Sequence, residues 1–110
     1  SRKAPARAAS AADVERLYRE GKALYDAGSA GEAAGLFERC LTLDKNHPRC
    51  HLMLATSYAR GGDTGRAETH YRRFLALASP DDPAVPRVKK FLEDSDAQKK
   101  ARASSAMPER

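Results

Sequence analysis

Tryptophan is missing from this 110-residue sequence, and the other aromatic side chains are few, namely four Tyr and three Phe. Alanine is abundant by comparison. Sheet sandwiches are built with aromatic and β-branched side chains, whereas alanine is the strongest helix former. The composition therefore favours closely packed helices over a sheet structure.

Long apolar runs are also absent, and none approaches the roughly 20 residues that a membrane-spanning helix needs. We find no secretory signal pattern, and the first residue is not Met. We therefore expect a cytoplasmic chain without a membrane span that is part of a larger protein. Arginine outnumbers lysine and alanine is frequent, which is typical of a bacterium with a GC-rich genome.

Known catalytic signatures are lacking as well: there is no Ser-His-Asp ordering, metal motif or dinucleotide fingerprint. We therefore predict that the chain is not an enzyme, with no catalytic residues and no cofactor. The net charge is +5, but the excess is spread over the tails and the second half of the chain. This distribution indicates a general attraction to acidic partners and not a dedicated nucleic-acid surface.

Cysteine occurs only twice, at Cys40 and Cys50, with His47 and His51 close by in the chain. The spacing C-x₆-H-x₂-C-H lacks the paired C-x₂-C arrangement of common structural zinc sites, so we predict no metal site. Cys40 lies on an apolar helix face, where it would act as a small hydrophobic residue. We also predict no disulfide between Cys40 and Cys50, because helical separation does not ensure that their Cβ vectors converge.

Glycine is concentrated in the stretch YARGGDTGRA, residues 58–67. A phosphate-binding loop would connect a strand to a helix and carry a Lys-Ser/Thr pair, whereas here a helical pattern precedes the glycines. A shift of 34 residues aligns Gly28 with Gly62 and Gly31 with Gly65. This internal repeat predicts that the glycines form turns between helices in a repeat protein.

Each repeat reads as two helices with one apolar stripe apiece. Ser10 and Asp13 form a capping-box-like start, so the first helix should begin near Ala11 and end at Gly28. Ser29 and Glu32 form a second capping box. The predicted inward residues of the first repeat are Val14, Leu17, Gly21, Leu24, Ala33, Phe37, Cys40 and Leu41.

The second repeat follows the same scheme, with Pro48 in a first helical turn, Gly61-Gly62 as the stop and Asp63 as the next cap. Its predicted inward residues are His51, Leu54, Ala55, Tyr58, Ala67, Tyr71, Phe74, Leu75 and Ala78. His70 lies beside arginines and is predicted to be solvated. A last stripe of Val85, Val88, Phe91 and Leu92 starts after Asp82 and Pro83 and reaches no glycine turn, so it predicts a terminal capping helix.

The predicted organisation has three parts. Residues 1–10 are a disordered basic linker, residues 11–93 form the repeat domain, and residues 94–110 are a polar tail that either continues the helix or is disordered. Within the domain, the first repeat covers about 14–47, the second about 48–81 and the capping helix about 83–93.

The repeat resembles the tetratricopeptide repeat, whose pattern is W-x₂-L-G-x₂-Y, then A-x₃-F, then P. The second unit matches with His51-x₂-Leu54-Ala55-x₂-Tyr58 and Ala67-x₃-Tyr71, and the first with Leu17-x₂-Glu20-Gly21-x₂-Leu24 and Ala33-x₃-Phe37. Glu20 replaces the usual Leu, Lys45 lies where Pro is common, and neither unit has Trp. The resemblance implies an all-α solenoid of about five helices, stacked as antiparallel pairs in a right-handed superhelix.

Such a fold implies a scaffold or adaptor whose first helices line a concave, peptide-binding groove. The groove residues predicted for this chain are Tyr18, Lys22, Tyr25, Arg49, Leu52, Met53, Thr56, Arg60 and Lys90. Their charges favour a partly acidic protein or peptide. In the alternative interpretation of this stripe, Tyr18 and Tyr25 only pack under the N-terminal segment. Two other functions remain open: self-association as a homo-oligomer, and binding of nucleic acid or an anionic surface through basic tails such as Lys99-Lys100-Ala101-Arg102.

Overall fold

The computed structural model describes residues 6–106, and the side chains of residues 11–105. Regular structure in this part of the chain is entirely helical. The five helices are α1 (Ala6–Asp26), α2 (Ala30–Leu43), α3 (Pro48–Arg60), α4 (Thr64–Leu77) and α5 (Val85–Ala106). Helix α1 packs on α2, α2 on α3, α3 on α4, and α4 on α5. The predicted all-α fold of packed, adjacent helix pairs is confirmed.

Two glycine turns, 34 residues apart, end the first helix of each repeat in the same way. Gly28 has φ 94° and Gly62 has φ 87°, in the left-handed region that glycine adopts without a Cβ clash. After α1, the Ser29 N–H donates to the Leu24 carbonyl at 2.8 Å; after α3, the Asp63 N–H donates to the Tyr58 carbonyl at 2.9 Å. Both turns are Schellman motifs, which confirms that the glycines end helices.

The helix starts agree only in part with the predicted caps. Asp63 caps α4 by accepting a hydrogen bond from the Arg66 N–H at 3.1 Å, as predicted. Ser29 is the N-cap of α2, but its side chain makes no capping bond, so the predicted capping box is wrong. Helix α3 begins at Pro48, and His47 caps it through Nδ1, which accepts from the Cys50 N–H at 3.1 Å. An imidazole cap was not predicted because Ser, Thr, Asp and Asn are the usual capping residues.

The two terminal helices are longer than predicted. Helix α1 begins at Ala6 instead of near Ala11, because the Ala/Arg-rich residues 6–12 are themselves good helix formers. Residues 1–5 of the predicted linker lie outside the described residues. Helix α5 continues through residues 94–106, so the helical alternative for the tail holds up to Ala106. Residues 107–110 lie outside the described part.

Two apolar clusters form the core. The first lies among α1, α2 and α3, and contains Val14, Leu17, Ala33, Phe37, Cys40, Cys50, Met53 and Leu54. The second lies among α3, α4 and α5, and contains Leu52, Ala55, Ala67, Tyr71, Phe74, Val85 and Val88. Tyr58 packs against both clusters. Helix α3 is therefore the shared wall of the core, and each repeat completes the burial of the other.

Gly21 is a point of close helix approach, as its place in the apolar stripe predicted. A Cβ built on Gly21 would lie 2.7 Å from Cε1 of Phe37. Phe37 is fully buried, so its ring occupies the space that a larger residue on α1 would need. The absence of a side chain at Gly21 is what lets the Phe37 ring fill the α1–α2 interface.

Little apolar side chain is left on the surface of the described residues. Leu43, at the end of α2, is the large hydrophobic residue that is exposed, at 43%. None of the five helices combines the length and the apolar character required to cross a bilayer.

Candidate partner-binding surface

The predicted groove residues lie on the first helix of each repeat and on the terminal helix. We use the name first-helix face for those predicted groove side chains that are not buried in the core. Its members are Tyr18, Lys22 and Tyr25 on α1, Arg49, Thr56 and Arg60 on α3, and Lys90 on α5.

Two of the nine predicted groove residues are not available at this surface. Leu52 is 2% exposed and belongs to the second core cluster, and Met53 is 8% exposed and belongs to the first. Helix α3 has neighbours on both sides, so a larger part of its circumference is covered than on α1. Leu52 and Met53 therefore stabilise the core, and their predicted placement in an open groove is corrected.

Tyr25 and Arg60 connect the two repeats on the first-helix face. The guanidinium carbon of Arg60 lies 4.7 Å from the centre of the Tyr25 ring, within the range of a cation–π contact. Arg60 makes no ion pair with any residue that the structure describes. Stacking on Tyr25 thus orients a guanidinium whose hydrogen-bond donors are free to meet a carboxylate.

Tyr18 is half-buried and packs against the first core cluster. Its ring centre lies 6.2 Å from that of Phe37 and 5.9 Å from that of His47. Contacts of Tyr18 or Tyr25 with the side chains of residues 1–10 lie outside the described residues. These contacts leave part of the Tyr18 side chain exposed to solvent and restrict its motion. Less side-chain entropy would therefore be lost when Tyr18 contacts a partner.

The remaining cations of the face are paired with neighbouring carboxylates. Lys22 donates to Asp26 at 3.2 Å, and Lys90 to Asp94 at 3.2 Å, each within one helix turn. Arg49 reaches across to Asp82, which precedes α5, at 3.1 Å. The two lysine pairs are exposed and contribute little to stability, so another carboxylate can compete for Lys22 and Lys90. The Asp82 side chain is only 16% exposed, so the same does not apply to the Arg49 pair.

Thr56 joins the first-helix face to the core. Its hydroxyl donates to the Leu52 carbonyl at 2.9 Å and lies 3.0 Å from the Tyr71 hydroxyl. Because Thr56 has one hydroxyl proton, Tyr71 is the donor of the second hydrogen bond. Thr56 is therefore held in place by the hydrogen bonds of its hydroxyl group.

A histidine pair at the junction of the repeats was not predicted. His51 Nε2 donates to the Lys45 carbonyl at 2.8 Å, so its Nδ1 is free to accept from His70 Nδ1, which lies 3.0 Å away. Burial lowers the pKa of both His51 and His70. The prediction that His70 is solvated is wrong, because α3 and α4 pack so that the two imidazoles stack with centres 5.2 Å apart.

Tyr58 extends this junction towards the first repeat. Its ring stacks on His70 with centres 5.9 Å apart, and its hydroxyl donates to the Glu38 carboxylate on α2. Burial and this carboxylate raise the pKa of Tyr58. The polar junction thus joins α2, α3 and α4, and it is distinct from the first-helix face.

Cys40 and Cys50 form a disulfide, which corrects the prediction that they do not pair. Their Cα atoms are 6.6 Å apart, within the range that a disulfide bridges. Cys40 is in the last turn of α2 and Cys50 in the first turn of α3, and the short connection returns the chain along the neighbouring helix. Sequence spacing alone did not show that packing brings these two helix ends together.

A concavity of about 340 Å³, which we call the α2–α3 concavity, lies between α2 and the α3–α4 turn. Gly31 and Gly35 form part of its wall, and a Cβ added at either would meet nothing within 4 Å. The hydroxyl of Ser57, a further lining residue, is buried without a hydrogen-bond partner in the described structure. This concavity is separate from the first-helix face.

Taken together, the repeated glycine turns, the shared helix α3 and the covering helix α5 define a helical-repeat protein. Residues 24–94 match the family model of the tetratricopeptide repeat, and the chain therefore belongs to the tetratricopeptide repeat family. Repeats of this family generally mediate protein–protein interaction and are typically not catalytic. A comparison with curated proteins found no match.

Proposed function

We propose that this chain is a non-catalytic interaction module that binds an acidic peptide segment of a partner protein on its first-helix face. The observation that carries this proposal is the Arg60 guanidinium, exposed, stacked 4.7 Å from the centre of the Tyr25 ring and without an acidic partner in the described residues. Arg and Tyr are the residue types most often found to dominate binding energy at interfaces.

Further cations lie on the first-helix face, each paired with a carboxylate of the chain. Lys22 and Lys90 are exposed, and Arg49 is half-buried beside Asp82. Lys22 and Lys90 are each held by an exposed carboxylate that solvent or a partner can replace at little energetic cost. A peptide with spaced Asp or Glu residues would therefore replace these internal ion pairs with intermolecular ones.

The experiment uses a displayed library of random twelve-residue peptides as the probe. We expect the selected peptides to be enriched in Asp and Glu, and to bind more weakly as ionic strength rises. Tyr25→Ala and Arg60→Ala should each weaken binding by at least about tenfold, the effect of truncating an interface anchor. Arg39→Ala, which changes an exposed arginine on α2, is the matched control and should leave the affinity unchanged.

Two results would refute the proposal. The first is selection of peptides without acidic residues. The second is an acidic peptide whose affinity is unchanged in folded Tyr25→Ala and Arg60→Ala. Loss of binding on substitution of Tyr58 or Arg66 instead would assign the site to the α2–α3 concavity.

Self-association is the competing function, and the exposed Leu43 at the open edge of the first repeat favours it. Light scattering over a concentration series separates the two functions, because a homo-oligomer gains mass with concentration and Leu43→Glu should suppress that gain. Binding of nucleic acid through the basic tail is less favoured, because Lys99 is already paired with Glu68 at 2.7 Å. We infer a bacterial origin from the Arg- and Ala-rich composition alone.

A further inference from the structure

Three metal-ligating side chains meet where α2 ends and α3 begins. Cys40 and Cys50 are fully buried and His47 is half-buried, and one donor atom of each lies within 4.8 Å of the other two. The sequence spacing predicted no metal site here, but the tertiary structure brings the three donors together, and we propose that Cys40, His47 and Cys50 bind one Zn²⁺ ion when the disulfide is reduced. This site is separate from the first-helix face and does not depend on the proposed function.

The distances suit a tetrahedral zinc ion after a small adjustment. With Zn–S bonds of about 2.3 Å and Zn–N bonds of about 2.0–2.1 Å, ligand atoms in a tetrahedral site lie roughly 3.6–3.8 Å apart. The two sulfur atoms must separate once their bond is broken. The Cα atoms of Cys40 and Cys50, at 6.6 Å, are near the wide end of the range for bonded cysteines, so the side chains can part without moving the helices.

The imidazole of His47 is in a state that can bind a metal. Nδ1 accepts the Cys50 N–H at 3.1 Å, so this nitrogen carries no proton and its lone pair points towards the start of α3. A zinc ion would replace that capping hydrogen bond. The released N–H would remain beside the thiolates, which are acceptors.

Cys50 is the third residue of α3 and is fully buried in the first core cluster. Two buried thiolates are costly without a compensating charge, and one Zn²⁺ ion neutralises both. No fourth Cys, His, Asp or Glu joins the group within the described residues. Water supplies the fourth ligand from the half-exposed side of His47.

Reduction of the disulfide and binding of zinc are two separate steps. A thiol or phosphine reductant gives two electrons to the disulfide, the S–S bond breaks, and two protons from solvent complete the two thiols. Zinc then displaces two protons to solvent as it binds both sulfurs. Oxidation and zinc binding therefore exclude each other, and either state links α2 to α3.

The test is a cobalt titration of the full chain, because Co²⁺ reports on a thiolate site by absorption whereas Zn²⁺ is silent. The chain is reduced with a phosphine, separated from reductant without oxygen, and titrated with CoCl₂. We expect one equivalent to bind, with a thiolate-to-cobalt charge-transfer band and the visible bands of a tetrahedral ion, and Zn²⁺ to displace it. The oxidised chain should show none of these bands.

Variants assign the ligands. Cys40→Ala and Cys50→Ala should abolish the charge-transfer band of the bound ion. His47→Asn keeps a capping acceptor for α3 but removes the imidazole, and should weaken binding at least tenfold. His70→Gln is the matched control and should bind as the unchanged chain does. Circular dichroism verifies that each variant is helical.

The proposal is overturned if the reduced, folded chain shows no thiolate-to-cobalt band. It is equally overturned if His47→Asn binds cobalt as tightly as the unchanged chain, since His47 is then not a ligand. Both outcomes are measured on chains that keep the helix cap and both cysteines, so neither depends on a Cys→Ala variant that fails to fold.

Discussion

Adding one methyl group at Gly21 should destabilise the fold, although the same change usually stabilises a helix. The ideal Cβ position lies 2.7 Å from Cε1 and 2.9 Å from Cζ of Phe37. Carbon atoms in good contact are about 3.5–4.0 Å apart, so the ring would have to move by roughly 1 Å. Phe37 is fully buried in the first core cluster, so its ring can move only by displacing other core side chains.

Two opposing energies set the size of the effect. Replacing glycine by alanine inside a helix gains at most about 1 kcal/mol. Forcing an extra carbon into a packed core costs about 1–3 kcal/mol, and three close ring contacts favour the upper part of that range. The net prediction is a loss of about 1–2 kcal/mol in the free energy of unfolding. For a domain of this size, Tm should fall by at least about 4 °C.

The assay is urea and thermal unfolding of Gly21→Ala, followed by the helical circular dichroism signal. Gly35→Ala on α2 is the matched control, because a Cβ there meets nothing within 4 Å and should stabilise by about 0.5–1 kcal/mol. In a Phe37→Leu background, Gly21→Ala should lose most of its cost. The reasoning is refuted if Gly21→Ala alone is as stable as the unchanged chain, or if Phe37→Leu leaves its cost unaltered.

Three further predictions concern the polar and covalent links between helices. Burial lowers the folded-state pKa of His51 and His70, so the unfolded chain binds more protons in acid. The stability from these groups should be complete above about pH 6.5 and should fall as the pH drops from there towards the folded-state pKa values. Urea unfolding midpoints measured against pH should fall less steeply for His70→Gln than for the unchanged chain. Reducing the Cys40–Cys50 disulfide in the presence of a chelator should cost about 2–3 kcal/mol, judged from the loop of ten residues it closes, and the same treatment of the Cys40→Ala/Cys50→Ala double variant should change nothing. Glu68→Gln should weaken the attachment of α5, because Lys99 at 2.7 Å and Ser95 both donate to that buried carboxylate. Amide hydrogen exchange should become faster in residues 95–105 of the variant. Equal protection in the variant and the unchanged chain would contradict the role of these hydrogen bonds.

The local features of the fold could be predicted because they depend on neighbours in the chain. Gly28 and Gly62 end helices because a left-handed residue is needed at that place, and the 34-residue offset showed both at once. The apolar stripes identified Val14, Leu17 and Phe37 as core, since helical periodicity brings residues three and four apart onto one face. The family resemblance predicted Tyr25 and Arg60 in one groove, but it did not predict their direct contact.

The sequence by itself therefore determined the repeat, the glycine turns that end α1 and α3 and most of the inward faces, and through them the tetratricopeptide family. Only the tertiary structure decided which distant side chains meet: the Cys40–Cys50 pair, the His51–His70 pair, and the burial of Leu52 and Met53 on a helix covered from both sides. The physical reason is that periodicity gives the direction of a side chain around its own helix axis. The depth and rotation at which two helices pack depend on all the side chains between them, and no short stretch of sequence contains that information.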